Sequence, residues 1–481
     1  MSNTELPPGW VAVRLDEISE VRLGRQRSPK NHTGDQMRPY LRAANVGWNG
    51  LKLDDVKEMN FTDSEVETYR LLPGDIVLGE ASGSPREVGK PGLWSGQIED
   101  CCFQNTLIRV RPAIGVEPRY LLLLLRYEAL RGSFAKGARG VGIHHLGAAK
   151  LAAWPVLLPP LAEQRRIVEV LEGHLSRLDA AEASIRRSVR RSDHAWASVL
   201  NSVARGDLNG RTVHASLRLV SEVADVGGGI QKQQKRRPIK NTFPFLRVAN
   251  VARGKLDLDE IHQIELFEGE LERYRLECGD LLVVEGNGSP DQIGRAAIWR
   301  GEIPDAVHQN HLIRVRPNGE LLPRYLELIW NSPLVVDQLR EVSRSTSGLY
   351  TLSTAKVKSV KIPVPSRADQ ESLVDDADIW ETRINAARVV LQGAAARSRL
   401  LRNSILDKAF AGALVPQDPE DEPASTLLER IQVERAKGVK RRPTRTPRQR
   451  RAAVATAADP CLTPSVITPI PGDAIQQEFE L

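Results

Sequence analysis

Cysteine is scarce in this chain: Cys101, Cys102, Cys278 and Cys461 are the only four in 481 residues, and no two form a C-x-x-C pair. That pattern excludes a disulfide framework, argues against structural zinc and fits a reducing compartment. Long apolar runs are missing as well. The most apolar stretch, YLLLLLRY at Tyr120–Tyr127, is far too short to cross a bilayer and carries Arg126. The opening MSNTELPPGW has no basic start followed by an apolar segment, so no export signal is expected and the cytoplasm is the expected location.

What is present suits globular domains. Hydrophobic residues make up 41% and charged residues 27%, and 481 residues exceed one ordinary core, so two or more domains are expected. A net charge of +6 and a pI near 9.1 point weakly to an acidic partner such as nucleic acid. Part of that excess lies in the C-terminal tail.

The dominant feature is an internal repeat. FQNTLIRVRP at Phe103–Pro112 returns as HQNHLIRVRP at His308–Pro317, 205 residues later. At the same offset RPYLRAANV (Arg38–Val46) meets FPFLRVANV (Phe243–Val251), and LLPGDIVLGEASGSP (Leu71–Pro85) meets LECGDLLVVEGNGSP (Leu276–Pro290). Trp94 falls on Trp299, and PRYL at Pro118 on PRYL at Pro323. Beyond Arg139 one inserted residue shifts the offset to 206, which aligns Ile143–Gln164 with Leu349–Gln370 and Gly206 with Gly412. So many anchors in register mean a tandem duplication.

Each copy has two textures. Short β-branched and aromatic runs such as PYLRAANV, DIVLGE and TLIRVRP, broken by Gly, Pro and Asn around a helical PRYLLLLLRYEAL, predict a globular α+β domain. A proline-rich hinge, WPVLLPPLAEQ, then opens a long helix. Val168, Leu171, Leu175, Leu178, Glu182, Ile185, Val189, Ser192, Trp196, Val199 and Val203 keep a three-four spacing. Trp380, Ile384, Ala387, Leu391, Ala394, Ser398, Leu401 and Ile405 do the same in the second copy. Neither stripe can be buried alone, so the two helices, each about 66 Å long at about 1.5 Å per residue, are expected to pair antiparallel with a globular domain at each end. The predicted organisation is a first domain at 1–159, a central helix at 160–206, a second domain at 207–365, a C-terminal helix at 366–414 and a mostly disordered, basic tail at 415–481.

Two α+β domains, each closed by such a hinge and a long helix, with the opening LPPGWVAVRLDEISEV (Leu6–Val21), resemble the specificity subunit of type I restriction-modification systems. The resemblance spans roughly residues 6–415; the hinge stands as WPVLLPPLAEQRRIV (Trp154–Val168) and, more divergently, as KIPVPSRADQESLV (Lys361–Val374). It implies two target recognition domains related by pseudo-twofold symmetry, each reading half of a bipartite, non-palindromic site on double-stranded DNA, with the antiparallel coiled-coil helices between them. It also implies two modification (methyltransferase) subunits docked on the helices, with restriction (translocase/endonuclease) subunits in the full complex.

Reading bases requires polar donors on loops. The first candidate is GRQRSPK (Gly24–Lys30), offering Arg25, Gln26, Arg27 and Lys30; its counterpart GIQKQQK (Gly229–Lys235), continued by Arg236, offers Gln231, Lys232, Gln233 and Lys235. An ordinary solvated turn would look similar. The second is ASGSPREVGK (Ala81–Lys90), with Ser84, Arg86 and Lys90, against GNGSPDQIGR (Gly286–Arg295), with Asn287, Ser289 and Arg295. It nearly spells a P-loop, but five residues separate Gly83 from Gly89 and Pro91 stands where Ser or Thr is needed, so nucleotide binding is rejected. The third pairs KGARGVGIHH (Lys136–His145) with SRSTSGLYT (Ser343–Thr351); Lys136, Arg139 and Arg344 are its phosphate-contact candidates. Gln104-Asn105 and Gln309-Asn310 do not differ between copies, so they are assigned to framework rather than to readout.

No catalytic machinery stands out. There is no NPPY- or DPPY-type motif, no FxGxG loop and no repeated Ser-His-Asp or metal-ligand set, so neither a cofactor nor a metal is expected. Asp55-Val56-Lys57 is a fragment of a nuclease motif, but its counterpart is Glu260-Ile261-His262 and no Pro-Asp precedes it. The expected function is non-catalytic DNA recognition within an assembly. The alternatives are a self-sufficient endonuclease with unrecognised catalytic residues and a coiled-coil scaffold that binds only protein.

Overall fold

The computed structural model describes residues 6–85, 87–136, 144–286, 292–343 and 351–439. The first copy builds a four-stranded antiparallel sheet in the order Ser19–Leu23, Leu107–Pro112, Ile76–Gly79, Pro91–Leu93. The second copy repeats that order with Ala224–Gly228, Leu312–Pro317, Leu281–Val284 and Ala296–Ile298. The central strands IVLG and LLVV are buried along their whole length, as strands covered on both faces must be. Beside each sheet lies a smaller one, centred on Met37–Leu41 in the first copy and on Thr242–Leu246 in the second. A helix beginning at a proline, Pro118–Leu130 or Pro323–Trp330, closes the core. In the second copy Pro333 ends any continuation and starts a further helix, Pro333–Ser343.

The arginines of the repeated phrase hold these sheets together. Arg111 forks onto Asp75 with two contacts of 2.7 Å, and Arg316 forks onto Asp280 at 2.6 and 2.8 Å. Both carboxylates are buried. Bidentate geometry suits that burial, because a desolvated carboxylate needs a strong partner.

Leu161–Arg205 and Arg367–Phe410 are single helices of 45 and 44 residues. They lie antiparallel: Arg402 reaches Asp179 and Glu182, Ser398 donates to Glu182 at 3.1 Å, and Arg388 meets Asp193, so partners descend along one helix as they ascend along the other. Ile167, Val168 and Leu171 join Leu406, Ala409 and Phe410 in the first domain's core, whereas Val199, Leu200 and Val203 join Leu373 and Ala377 in the second's. The domains therefore occupy opposite ends of the pair, in pseudo-twofold relation. Two expected seam positions, Ala387 and Leu401, are exposed; at the second, the neighbouring Arg402 turns inward to bridge the first helix.

Both hinges use one buried glutamine to fix the angle between domain and helix. Gln164 accepts from the Glu117 N–H and donates to the Pro159 carbonyl. Gln370 accepts from the Leu322 N–H and donates to Glu320 and Pro365. In the divergent second hinge Ser366 caps the helix by accepting from the Asp369 N–H.

The boundary expected at residue 414 is corrected by the chain beyond it. Val415, Ala424, Leu427 and Ile431 are buried in the first domain's core, and Ala424–Val439 is a helix. The Ala424 N–H donates to the Gly9 carbonyl, Arg435 donates to the Ser19 carbonyl, and Arg166 pairs with Asp421. Short apolar side chains spaced along an otherwise polar segment carried that packing. Residues from 440 onward lie outside the described residues.

Candidate nucleic-acid interface

Gly24–Lys30 and Gly229–Lys235 leave the ends of equivalent edge strands, and both are pinned by the Gln-Asn phrase. The Arg25 N–H donates to the Phe103 carbonyl and the Asn105 N–H to the Arg25 carbonyl. The Ile230 N–H donates to His308 and the Asn310 N–H to Ile230. The approach is so close that a Cβ on Gly24 would fall on the Gln104 carbonyl, and one on Gly229 on those of His308 and Gln309. Glycine is required at both roots.

Beyond the root, anchors separate from free side chains. Arg25 is spent within the fold: it pairs with Glu65 at 2.8 Å, donates to the Asn60 carbonyl and covers the Phe61 ring. In the second copy Arg236, at the other end of the loop, pairs bidentately with Glu270 and covers Phe267. Glu65 and Glu270 are equivalent positions. The hydrogen bond from Arg236 holds the Glu270 carboxyl down to about 2, so the pair stays charged throughout the ordinary range. Gln26, Arg27 and Lys30 in one loop, and Gln231, Lys232, Gln233 and Lys235 in the other, are exposed. Arg27 donates to His32, Gln233 to Gln231, and Lys235 lies over Phe267. A cleft beside the second loop is lined by Lys232, Gln233, Arg236, Arg237, His262 and Gln263.

The other two candidate loops contribute less among the described residues. Lys90 pairs with Glu87 near the Trp48 ring. Arg295 donates to the Val251 and Val248 carbonyls, and burial lowers its pKa. Both side chains brace the loop, and Gly89, at a φ of +72°, packs against Phe134 where a Cβ would not fit. Ser84 and Lys136 are exposed. Arg86, Arg139, Asn287, Ser289 and Arg344 lie outside the described residues. Sequence reading did not find the Glu65 and Glu270 anchors; their shared offset was the available signal.

The carboxylates of the nuclease-like fragment are also engaged. Asp55 pairs with Arg42 and Lys57, and Glu260 with Arg247 and His262, so these positions tie equivalent strands together in the two copies. Among the described residues no group of three His, Cys, Asp or Glu is placed to hold a metal, and no helix is long and apolar enough to cross a membrane.

Residues 7–189 match a family model described as a type I restriction modification DNA specificity domain. The chain is 26% identical over 458 residues to the type I restriction enzyme EcoKI specificity subunit of Escherichia coli strain K12, covering 91% of this chain and 97% of that one. It is 26% identical over 457 residues to the StySPI specificity subunit of Salmonella potsdam, with the same coverage. A solved chain from a study of complex assembly and conformational transition of the type I R-M system aligns with a TM-score of 0.67 at 20% identity, over 85% of this chain and all of that one.

Proposed function

We propose that this chain is a specificity subunit of the type I restriction-modification family, in which each globular domain reads one half of a bipartite, non-palindromic DNA site while the helical pair sets their separation. One observation carries the reading. The same loop leaves the same root in both domains, yet its exposed letters differ: Gln26, Arg27 and Lys30 against Gln231, Lys232, Gln233 and Lys235. Amides and arginines are the groups that distinguish base edges, and lysines neutralise phosphates. A shared root with different donors gives two readers on one scaffold.

The helices also offer outward faces for partner subunits. Ile379, Val390 and Leu401, 50%, 65% and 52% exposed, recur every eleven residues and so form one stripe on the side of the second helix away from the first. Modification subunits, one per long helix, dock on such faces and supply methyl transfer; restriction subunits join the assembly and supply cleavage. Fluorescence anisotropy of the purified chain with duplex DNA tests the reading. Weak binding is expected, with neither methyl transfer from S-adenosylmethionine nor magnesium-dependent cleavage. No binding would favour a protein scaffold, and methyl transfer or cleavage by the chain alone would refute the division of labour.

A further inference from the structure

The repeated phrase Phe103–Pro112 and His308–Pro317 can be accounted for nearly letter by letter. Leu107, Ile108 and Val110, with Leu312, Ile313 and Val315, are buried core. Arg111 and Arg316 grip equivalent aspartates. The first letter is buried in both copies and has nevertheless changed, from Phe103 to His308. Gln104-Asn105 and Gln309-Asn310 are the opposite case. Their side chains are half-buried and identical in type, and among the described residues none of the four amide groups has a hydrogen-bond partner.

Local conformation does not explain the pair. The backbone bonds to the loop root use only N–H and C=O groups, which any residue but proline supplies. The Leu107 N–H closes a turn onto the Gln104 carbonyl at 2.9 Å, and the Leu312 N–H closes its equivalent onto Gln309 at 2.8 Å. Asn105 and Asn310 take no left-handed φ, and glutamine is not a turn former. None of the four amides is cut off from solvent, so each NH2 group remains open to an outside acceptor.

We propose that Gln104, Asn105, Gln309 and Asn310 hold the DNA sugar-phosphate backbone, their amide NH2 groups donating to phosphate oxygens at equivalent points of the two half-sites. This rests on the reading of the two domains as DNA-binding. The turn carrying each pair is hydrogen-bonded to the root of the proposed reading loop, so DNA that meets the loop passes the turn. Two domains that read different bases have the phosphate backbone in common, and identical donors suit what is common. The turn thus fixes the register from which the variable loop reads.

The test uses the full-length chain, a duplex carrying the methylated motif of the host genome and a scrambled duplex. The variants are Gln104→Ala with Asn105→Ala, Gln309→Ala with Asn310→Ala, and all four together. Each pair is expected to weaken binding to both duplexes by the same factor, about 3- to 10-fold, which is the range of one ordinary hydrogen bond. The slope of log K against log salt should stay unchanged, because a neutral amide displaces no counterion. The thermal midpoint should also hold. Unchanged affinity on both duplexes overturns the proposal and leaves the pair as framework. A loss confined to the cognate duplex overturns it in favour of base reading. Wild-type protein that binds neither duplex would remove the DNA-binding reading itself and this proposal with it. If the alanine variants do not fold, Gln104→Glu keeps the shape and places a carboxylate against phosphate; an equal loss on both duplexes is again expected, and no loss overturns the proposal.

Discussion

Asp193 and Arg388, 195 residues apart in the chain, meet at 2.6 Å across the two long helices. Asp193 is exposed and Arg388 half-buried, at the helix surface, so the pair contributes about 0.2–1 kcal/mol. Its significance is register. Together with the Ser398–Glu182 bond it fixes which turn of one helix faces which turn of the other. Inserting four residues into each helix between these two bridges keeps nearly the same face inward and moves the domains apart by about 6 Å. At about 3.4 Å per base pair, the non-specific spacer of the recognised motif should lengthen by roughly one to two pairs with both half-sites unchanged. The accompanying twist, about 34° per added pair, should lower affinity. Sequencing of methylated sites would check this, and an unchanged spacer at full activity would show that the helices do not set the distance.

Gly24 and Gly229 make separable predictions. A Cβ at either position meets backbone rather than a movable side chain, so Gly24→Ala must displace one loop root at a cost of about 1–3 kcal/mol. Affinity for one half-site should fall while the other half is read normally, and Gly229→Ala should show the reverse. Competition binding with duplexes mutated in one half checks both.

Much of this architecture was legible in the sequence, because duplication prints each structural requirement twice. The helix starts expected at 160 and 366 fall on the caps Pro160 and Ser366, and the end expected at 206 falls on the left-handed Gly206. What escaped was set by long-range partners. Nothing near Arg25 or Arg236 marks them as anchors, since Glu65 and Glu270 stand 40 and 34 residues away. Leu427 and Ile431 sit in a segment polar enough to pass for tail, and only the first domain's core supplies the reason for their spacing.

His308 predicts an acid sensitivity confined to the second domain. It is buried, and burial together with Arg314 pushes its pKa down to about 3. The unfolded chain protonates this ring near 6.5 and the folded one only near 3, so the unfolded state binds more protons between those values. Stability contributed here is complete above about pH 6.5 and falls as pH drops toward 3. His308→Phe, the residue of the first copy, should flatten the fall. Thermal midpoints of the two proteins at pH 7 and pH 5 check this; parallel losses would contradict it.

Two truncations should behave differently. Ending the chain at Gly412 removes Val415, Ala424, Leu427 and Ile431 from the first core, and burial of each large side chain is worth about 1.5–3 kcal/mol, against a whole-domain stability of about 5–15 kcal/mol. The first domain should melt markedly earlier. Ending it at Val439 keeps that packing, so the motif should be unchanged, with modestly weaker non-specific binding and a shallower salt dependence because basic residues are lost. Melting curves and salt titrations of the two proteins separate the effects.

The assignment of one domain to one half-site is tested most directly by exchanging the loops. Residues 24–31 are replaced by residues 229–236, so that the incoming Arg236 brings its own anchor to Glu65, the position equivalent to its native partner Glu270. The measurement is the methylated motif in cells carrying the complete system. The expected result is a change in one half-site, with the other half and the spacer length intact. A change in both halves, or an unaltered motif at full activity, would contradict the account.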